Sequence, residues 1–325
     1  AEEERLPVVL LYGASGWIGG MLARQLQQDA PFAGAAVLVR GTARVQCYAD
    51  VAAELALASS GAHPDAPGAG PVLWVINCAG ATGRPNVDWC EGHERETMDA
   101  NLAGPLLVAR AAAVAQPRPH VTYFGTGCIY TYDDAHPRPA PGSPEALGTV
   151  DAGFREEEAA NFTGSLYSYA KAAADAALAA LHPEVLVLRP RMPISDELDE
   201  RSLVTKLLGY ERVVNVPNSM TVLHDLLPLA LDLAWRGEGG AFHLTNPGAI
   251  SHNELLGLYR ELVDPSVEWR NFTQEEHDAR VLAPRSNNLL SAAKLRARYP
   301  GLPPIHEAVR AAFLRMAAAN AAARP

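Results

Sequence analysis

A chain that reads VVLLYGASGWIGG near its start has few ways to fold. The apolar run from Leu6 to Tyr12 reads as a short buried strand, and Trp17 to Gln28 reads as a helix that follows at once. Three glycines, Gly13, Gly16 and Gly19, punctuate the turn between them. The first permits a tight turn, the second lets the backbone approach a pyrophosphate, and the third lets helix and strand pack closely. Unpaired N–H groups at the helix start then face the phosphates. Gly13, Ser15, Gly16, Trp17, Ile18 and Gly19 are therefore the expected cradle of a dinucleotide.

The pattern continues as that turn requires. Short apolar runs at Ala35–Val39, Val72–Ile76, Val121–Phe124 and Val185–Leu188 alternate with helical stretches at Pro105–Val114 and Leu166–Leu181. Strands alternating with helices imply an α/β fold, a doubly wound parallel sheet of the Rossmann type. Two segments rich in proline, glycine and alanine, His63–Pro71 and His136–Gly148, are expected to be loop insertions, the first of them mobile. After Arg189 the pattern loosens into short helices and loops. We expect residues 1–190 to form the dinucleotide-binding domain. Residues 191–325 should form mainly a smaller substrate-binding lobe, with some segments returning to the Rossmann core. The tail Ile305–Ala323 reads as a helix.

Composition narrows the partners. The chain has 325 residues, 20% of them charged, and a formal net charge of −10 with no basic block. That argues against nucleic acid and against a cationic membrane-surface helix. No run reaches the roughly 18 apolar residues of a membrane span. The N-terminal AEEERLPVVLLYG lacks the basic and apolar regions of a secretory signal. Four cysteines without C-x-x-C or zinc spacing fit a reducing compartment. Together these predict a cytoplasmic protein. The ten histidines show no metal-ligand spacing, so no metal is expected.

The second strand ends VLVRGTAR. A site selective for NAD usually carries a carboxylate there. Arg40 and Arg44 stand there instead, and cations suit a 2′-phosphate, so NADPH is the expected cofactor, with NADH possible.

Further on, Tyr167-x-x-x-Lys171 puts a phenol and an ammonium on one helix face. The nearby charge stabilises the phenolate form, so the phenol can exchange a proton near neutral pH. The lysine can also hold the nicotinamide ribose. Thr126, just past an earlier strand, would bind a substrate carbonyl. Asn77-Cys-Ala-Gly80 ends the strand before that, where Asn77, Ala79 and Gly80 would line the cofactor. Glycine turn, NCAG, hydroxyl and Y-x-x-x-K fall in the order of a short-chain dehydrogenase, whose G-x-x-G-x-x-G spacing the turn also resembles.

The stretches NCAGATGRPNVDWCE, NFTGSLYSYAK, RMPIS, VVNVPNSMTVL, NPGAISHNE and APRSNN closely resemble the plant-type nucleotide-rhamnose synthases, from about Leu10 to about Phe313. These are bifunctional members of the extended short-chain dehydrogenases. The resemblance implies a 3,5-epimerase and 4-keto-reductase that converts dTDP- or UDP-4-keto-6-deoxyglucose to the nucleotide-β-L-rhamnose. Two departures stand out: Ala14-Ser15 in the glycine turn and Tyr169-Ala170 in the catalytic helix, where the plant sequences usually have lysine and threonine. The resemblance also implies a homodimer, through helices that begin near Glu94 and Leu166.

Such a reaction gives a use to Cys128, two residues after Thr126. C3 and C5 flank the C4 ketone, so their protons are acidified through the enolate. Inversion needs a base and an acid, and a thiolate is an adequate base beside a cation. The resemblance places the epimerase acid at Lys206, which is also the expected cation. Cys47, Cys78 and Cys90 read as structural. Thr82, Gly83, Arg84, Asn86, Asn161, Arg191, Asn215, Asn218 and Arg285 are candidates for the sugar nucleotide, because arginine forks match diphosphate oxygens. Two other functions remain open at this point: a single-step 4-keto-reductase, and a non-catalytic NADP-binding regulatory subunit.

Overall fold

The computed structural model describes residues 5–84, 86–273, 276 and 280–322. Six strands form the central sheet: β1 (Val8–Tyr12), β2 (Val37–Gly41), β3 (Val72–Asn77), β4 (His120–Phe124), β5 (Leu186–Pro190) and β6 (Gly240–Leu244), in the order β2-β1-β3-β4-β5-β6. The pairings β1–β2, β1–β3, β3–β4 and β4–β5 are parallel. Every residue of β1 is buried, as expected of a central strand covered on both faces. Because β1 lies between β2 and β3, the winding reverses beside it. That is where an open α/β sheet leaves a crevice at its carboxyl edge.

Helices α1 (Trp17–Gln28) and α6 (Leu166–Leu181) occupy the spans their sequences predict. α2 (Tyr48–Ser59) follows β2. The expected helix at Pro105–Val114 is the last part of a longer one. Short α3 (Asp88–Glu91) comes first, then α4 (Glu94–Met98), a π-helical segment Asp99–Ala103, and α5 (Gly104–Val114). The tail is helical over Ile305–Ala322, and Ala323 lies outside the described residues.

The chain divides into two compact units by segments. One comprises the residues up to Gly125 with Ser165–Leu188 and Ala230–Ala241. Its core packs Val8, Leu10, Tyr12, Val39, Val75, Val108, Leu178 and Val187 around the sheet. The other comprises Thr126–Gly164, Arg189–Leu229 and the residues from Phe242 onward. Its core joins Val204 and Leu207 of α7 (Leu203–Leu208), Leu255 and Leu256 of α8 (His252–Leu262), and Val309 and Phe313 of the closing helix.

Both proline- and glycine-rich loops are packed rather than free insertions. In 63–71, Ala66 and Ala69 enter the first core, and Gly68 N donates to Gly61 O at 2.8 Å. In 136–148, Ala146 is buried and its carbonyl accepts from Ala249 N at 2.9 Å. Small alanine side chains between turn residues allow this docking, and composition alone does not reveal it. Among the described residues no helix is long and apolar enough to cross a membrane.

Candidate functional site

In the first unit the glycine turn has no room for side chains. Gly13 has φ +78°, and a Cβ there would lie 2.6 Å from Ala79 N. A Cβ on Gly19 would lie 2.1 Å from the Gly13 carbonyl oxygen. Gly16 N donates to that same oxygen at 2.9 Å. α1 starts with no side-chain cap and no acid in its first turn, so its leading N–H groups are left for an anion. Beside the turn, Asn77 is buried at the end of β3. Its Oδ1 accepts from Ala79 N at 3.0 Å, while its Nδ2 has no partner among the described residues. A cradle that a Cβ would fill and a buried donor without an acceptor fit a dinucleotide held here.

At the end of β2, Arg40 is exposed and donates to Gln27 Oε1 at 3.2 Å. Arg44, also exposed, is bound to Asp50 at 2.7 Å, and this contact holds the Asp50 carboxyl below its ordinary range. Glu54 was not anticipated from sequence. Its carboxylate accepts from Thr42 N at 2.7 Å and Ala43 N at 3.1 Å, fixing the loop between the two arginines.

On α6, Tyr167 and Lys171 are both buried. Ser165 caps the helix by accepting from Ser168 N at 3.1 Å. Lys171 Nζ donates to the Tyr123 hydroxyl at 2.9 Å and to the Phe124 carbonyl at 3.0 Å. Burial lowers the Lys171 pKa to about 7. Beside it, Gly80 leaves room for the Asn101 amide, because a Cβ there would stand 3.1 Å from Asn101 Oδ1. Asn101, fully buried in the π-helical segment, was also missed from sequence. It donates to Ala81 O at 2.7 Å and accepts from Ala81 N at 3.2 Å, pinning the loop that carries Ala79 and Gly80.

After that loop, Thr82 and Arg84 are exposed. Gly83 has φ +69°, with Trp89 where a side chain would go, and Asn86 Oδ1 accepts from Asp88 N at 2.8 Å to start α3.

The second unit holds the thiol. Thr126 is buried, and its Oγ1 accepts from Cys128 N at 3.1 Å, so the hydroxyl and the thiol share one tight turn. The cation on the sulfur is Arg191, not the expected Lys206: Arg191 Nη1 donates to Cys128 Sγ at 3.2 Å. Nη1 also donates to Ser286 Oγ at 3.1 Å, and Nη2 donates to Ser286 O at 2.6 Å and to Asn218 Oδ1. Among the described residues no carboxylate pairs with it. Asn218 is buried and also accepts from Asn288 N at 2.9 Å. Arg191 and Asn218, expected at the sugar nucleotide, are thus joined in a buried web behind the thiol.

Asn161 ties Thr131 to Asp133 by side-chain bonds of 2.8–2.9 Å. Arg285 donates to Ala283 O at 3.0 Å, and Asn215 is exposed. Lys206 is half-buried on α7, where burial first and Arg201 second lower its pKa.

The family model described as "NAD dependent epimerase/dehydratase family" matches residues 9–208. The chain belongs to this family. It is 41% identical over 302 residues to a bifunctional dTDP-4-dehydrorhamnose 3,5-epimerase/dTDP-4-dehydrorhamnose reductase of Arabidopsis thaliana, covering 92% of this chain and 90% of that protein. It is 40% identical to a trifunctional UDP-glucose 4,6-dehydratase/UDP-4-keto-6-deoxy-D-glucose 3,5-epimerase/UDP-4-keto-L-rhamnose-reductase of the same plant. The match takes in 92% of this chain but only 40% of that longer protein. The crystal structure of a UDP-rhamnose synthase from Acanthamoeba polyphaga mimivirus superposes with a TM-score of 0.81 at 34% identity, covering 95% of this chain and 99% of that one. Within the epimerase/dehydratase family the chain therefore lies with the nucleotide-rhamnose synthases, as the motif resemblance implies.

Proposed function

We propose that the protein is a bifunctional 3,5-epimerase and NADPH-dependent 4-keto-reductase, converting dTDP- or UDP-4-keto-6-deoxyglucose to the corresponding nucleotide-β-L-rhamnose. The observation that carries this reading is the pairing of two chemistries in one chain. Tyr167 and Lys171 form a reductase pair on α6, and Cys128 is a thiol with a guanidinium on its sulfur, in one turn with the hydroxyl of Thr126. The likeness to enzymes named for both activities supports it.

In this reading Cys128 removes the proton from a carbon beside the C4 ketone. Lys206 returns one to the opposite face, and burial, which lowers its pKa from the ordinary lysine value, makes its ammonium a readier proton donor. Thr126 donates a hydrogen bond to the C4 oxygen. NADPH, when bound, supplies the hydride for C4. Tyr167 gives the alkoxide its proton, and the Lys171 ammonium holds the ribose and favours the phenolate left behind. The glycine turn and Asn77 hold the dinucleotide, with Arg40 and Arg44 at the 2′-phosphate. Candidate contacts for the sugar nucleotide are Thr82, Gly83, Arg84 and Asn86 of the first unit and Asn161, Asn215 and Arg285 of the second.

We further infer a homodimer through α4, α5 and α6 and a cytoplasmic site of action. In support of the dimer, the residues α6 leaves exposed are Tyr169, Ala176, Ala179, Ala180 and Leu181, with no charge among them.

The test is to incubate the protein with either nucleotide sugar in deuterated water, with and without NADPH. Label at C3 and C5 and NADPH-dependent rhamnose formation are expected. NADPH oxidation without exchange would leave a single-step reductase, and neither signal would remove the enzymatic reading.

A further inference from the structure

Tyr123 belongs to no reductase motif, yet it touches the lysine of one. It lies in β4, 1% exposed. Its hydroxyl accepts from Lys171 Nζ at 2.9 Å and donates to the Asn101 carbonyl at 3.4 Å. The ammonium stands 4.7 Å from the centre of its ring. With the Phe124 carbonyl at 3.0 Å, two of the three ammonium protons have fixed acceptors.

The groups that face Lys171 are few. Cys78 lies in the loop after β3, Asp175 and Tyr167 lie on α6, and Tyr123 lies on β4. Burial raises the Cys78 thiol and the Tyr123 phenol well above their ordinary values, so both stay protonated and uncharged. Asp175 favours the charged lysine, against the burial that disfavours it. In that balance, hydrogen bonds to the ammonium stand in for the water it has lost. One acceptor is main chain. The other is the Tyr123 hydroxyl.

We infer that Tyr123 is a positioning residue for ketone reduction: its phenol, tied to the Asn101 carbonyl, aims the Lys171 ammonium and replaces the water that burial removes. The inference rests on the reductase half of the function proposed above. The direction of each bond follows from the donors. Lysine only donates, so the phenol oxygen accepts from it and sends its own proton to Asn101. Tyr123→Phe would keep the ring and its attraction for the cation while removing the acceptor.

The chain has three lysines, Lys171, Lys206 and Lys294, so protein labelled with ¹³C at lysine Cε gives three signals. Lys171→Met identifies the one from Lys171. In the cofactor-free parent that signal should titrate near the lowered value of about 7. Removing an acceptor from the charged form lowers the midpoint, and in Tyr123→Phe we expect a fall of about one pH unit. The alkaline limb of kcat/KM for ketone reduction should move to lower pH by a similar amount.

Site-specific 3-fluorotyrosine at position 123 keeps the shape and weakens the acceptor. It should give a smaller shift of the same sign, and it serves if Tyr123→Phe does not fold. An unmoved Lys171 midpoint in the folded variants overturns the inference. So does a moved midpoint with an unmoved pH–rate limb. A parent that binds NADPH but reduces no ketone would instead remove the reductase reading, while the titration still decides whether Tyr123 governs Lys171.

Discussion

At the scale of single residues, the two chemistries should separate by mutation. Cys128→Ser keeps the size of the side chain and replaces a thiol with a hydroxyl that does not ionise near neutrality. Exchange of the C3 and C5 protons with deuterated water should collapse, while reduction of the unepimerised ketone survives. Exchange at the parent rate would show that the thiol only packs. Arg40 meets no carboxylate among the described residues, whereas Arg44 is held by Asp50. Arg40→Ala should raise the KM for NADPH roughly 10-fold or more, through a lost charged hydrogen bond, and leave the KM for NADH nearly unchanged. Equal effects on the two cofactors would deny it the 2′-phosphate. Glycine turn, NCAG and Y-x-x-x-K were legible because each is a local pattern with its own spacing. Asn101, Tyr123, Glu54 and the grip of Arg191 on Cys128 were not. Each depends on a partner 11 to 63 positions away, whose place only the fold decides.

At the scale of elements, α1 and α6 were readable because each has a start signal ahead of an apolar face. α1 follows a glycine turn, and α6 follows Ser165, a good N-cap with an apolar face behind it. Ser165→Ala should destabilise the protein by about 1 kcal/mol, since it frees Ser168 N at the start of α6. Urea unfolding of the NADPH-free protein checks this, and an unchanged midpoint would mean that another group takes over the cap. The π-helical segment Asp99–Ala103 escaped sequence reading. Its composition, DANLA, is that of an ordinary helix, and the departure from α geometry goes with the docking of Asn101 on Ala81.

At the scale of the whole molecule, the buried lysine ties stability to pH. The Lys171 pKa falls from an unfolded value of about 10.4 to about 7 in the fold. Its contribution is therefore fully present above the unfolded value and is lost as pH falls through about 7. Without cofactor, Lys171→Met should be more stable than the parent at pH 6, by something on the order of a few kcal/mol, and the gap should shrink as pH approaches 10. A gap that does not vary with pH would mean that Lys171 stays charged throughout. The alternation of strands and helices made the sheet legible in advance. The assignment of segments to the two units was not, because an apolar strand looks the same whichever core it joins. The chain passes from one unit to the other after Gly125, Gly164, Leu188, Leu229 and Ala241. No single cut in the gene yields either unit whole, and no single recombination event between relatives exchanges one intact. A breeder of chimaeras would have to move three pieces together to exchange the unit that carries Cys128 and leave the one that carries α6 intact.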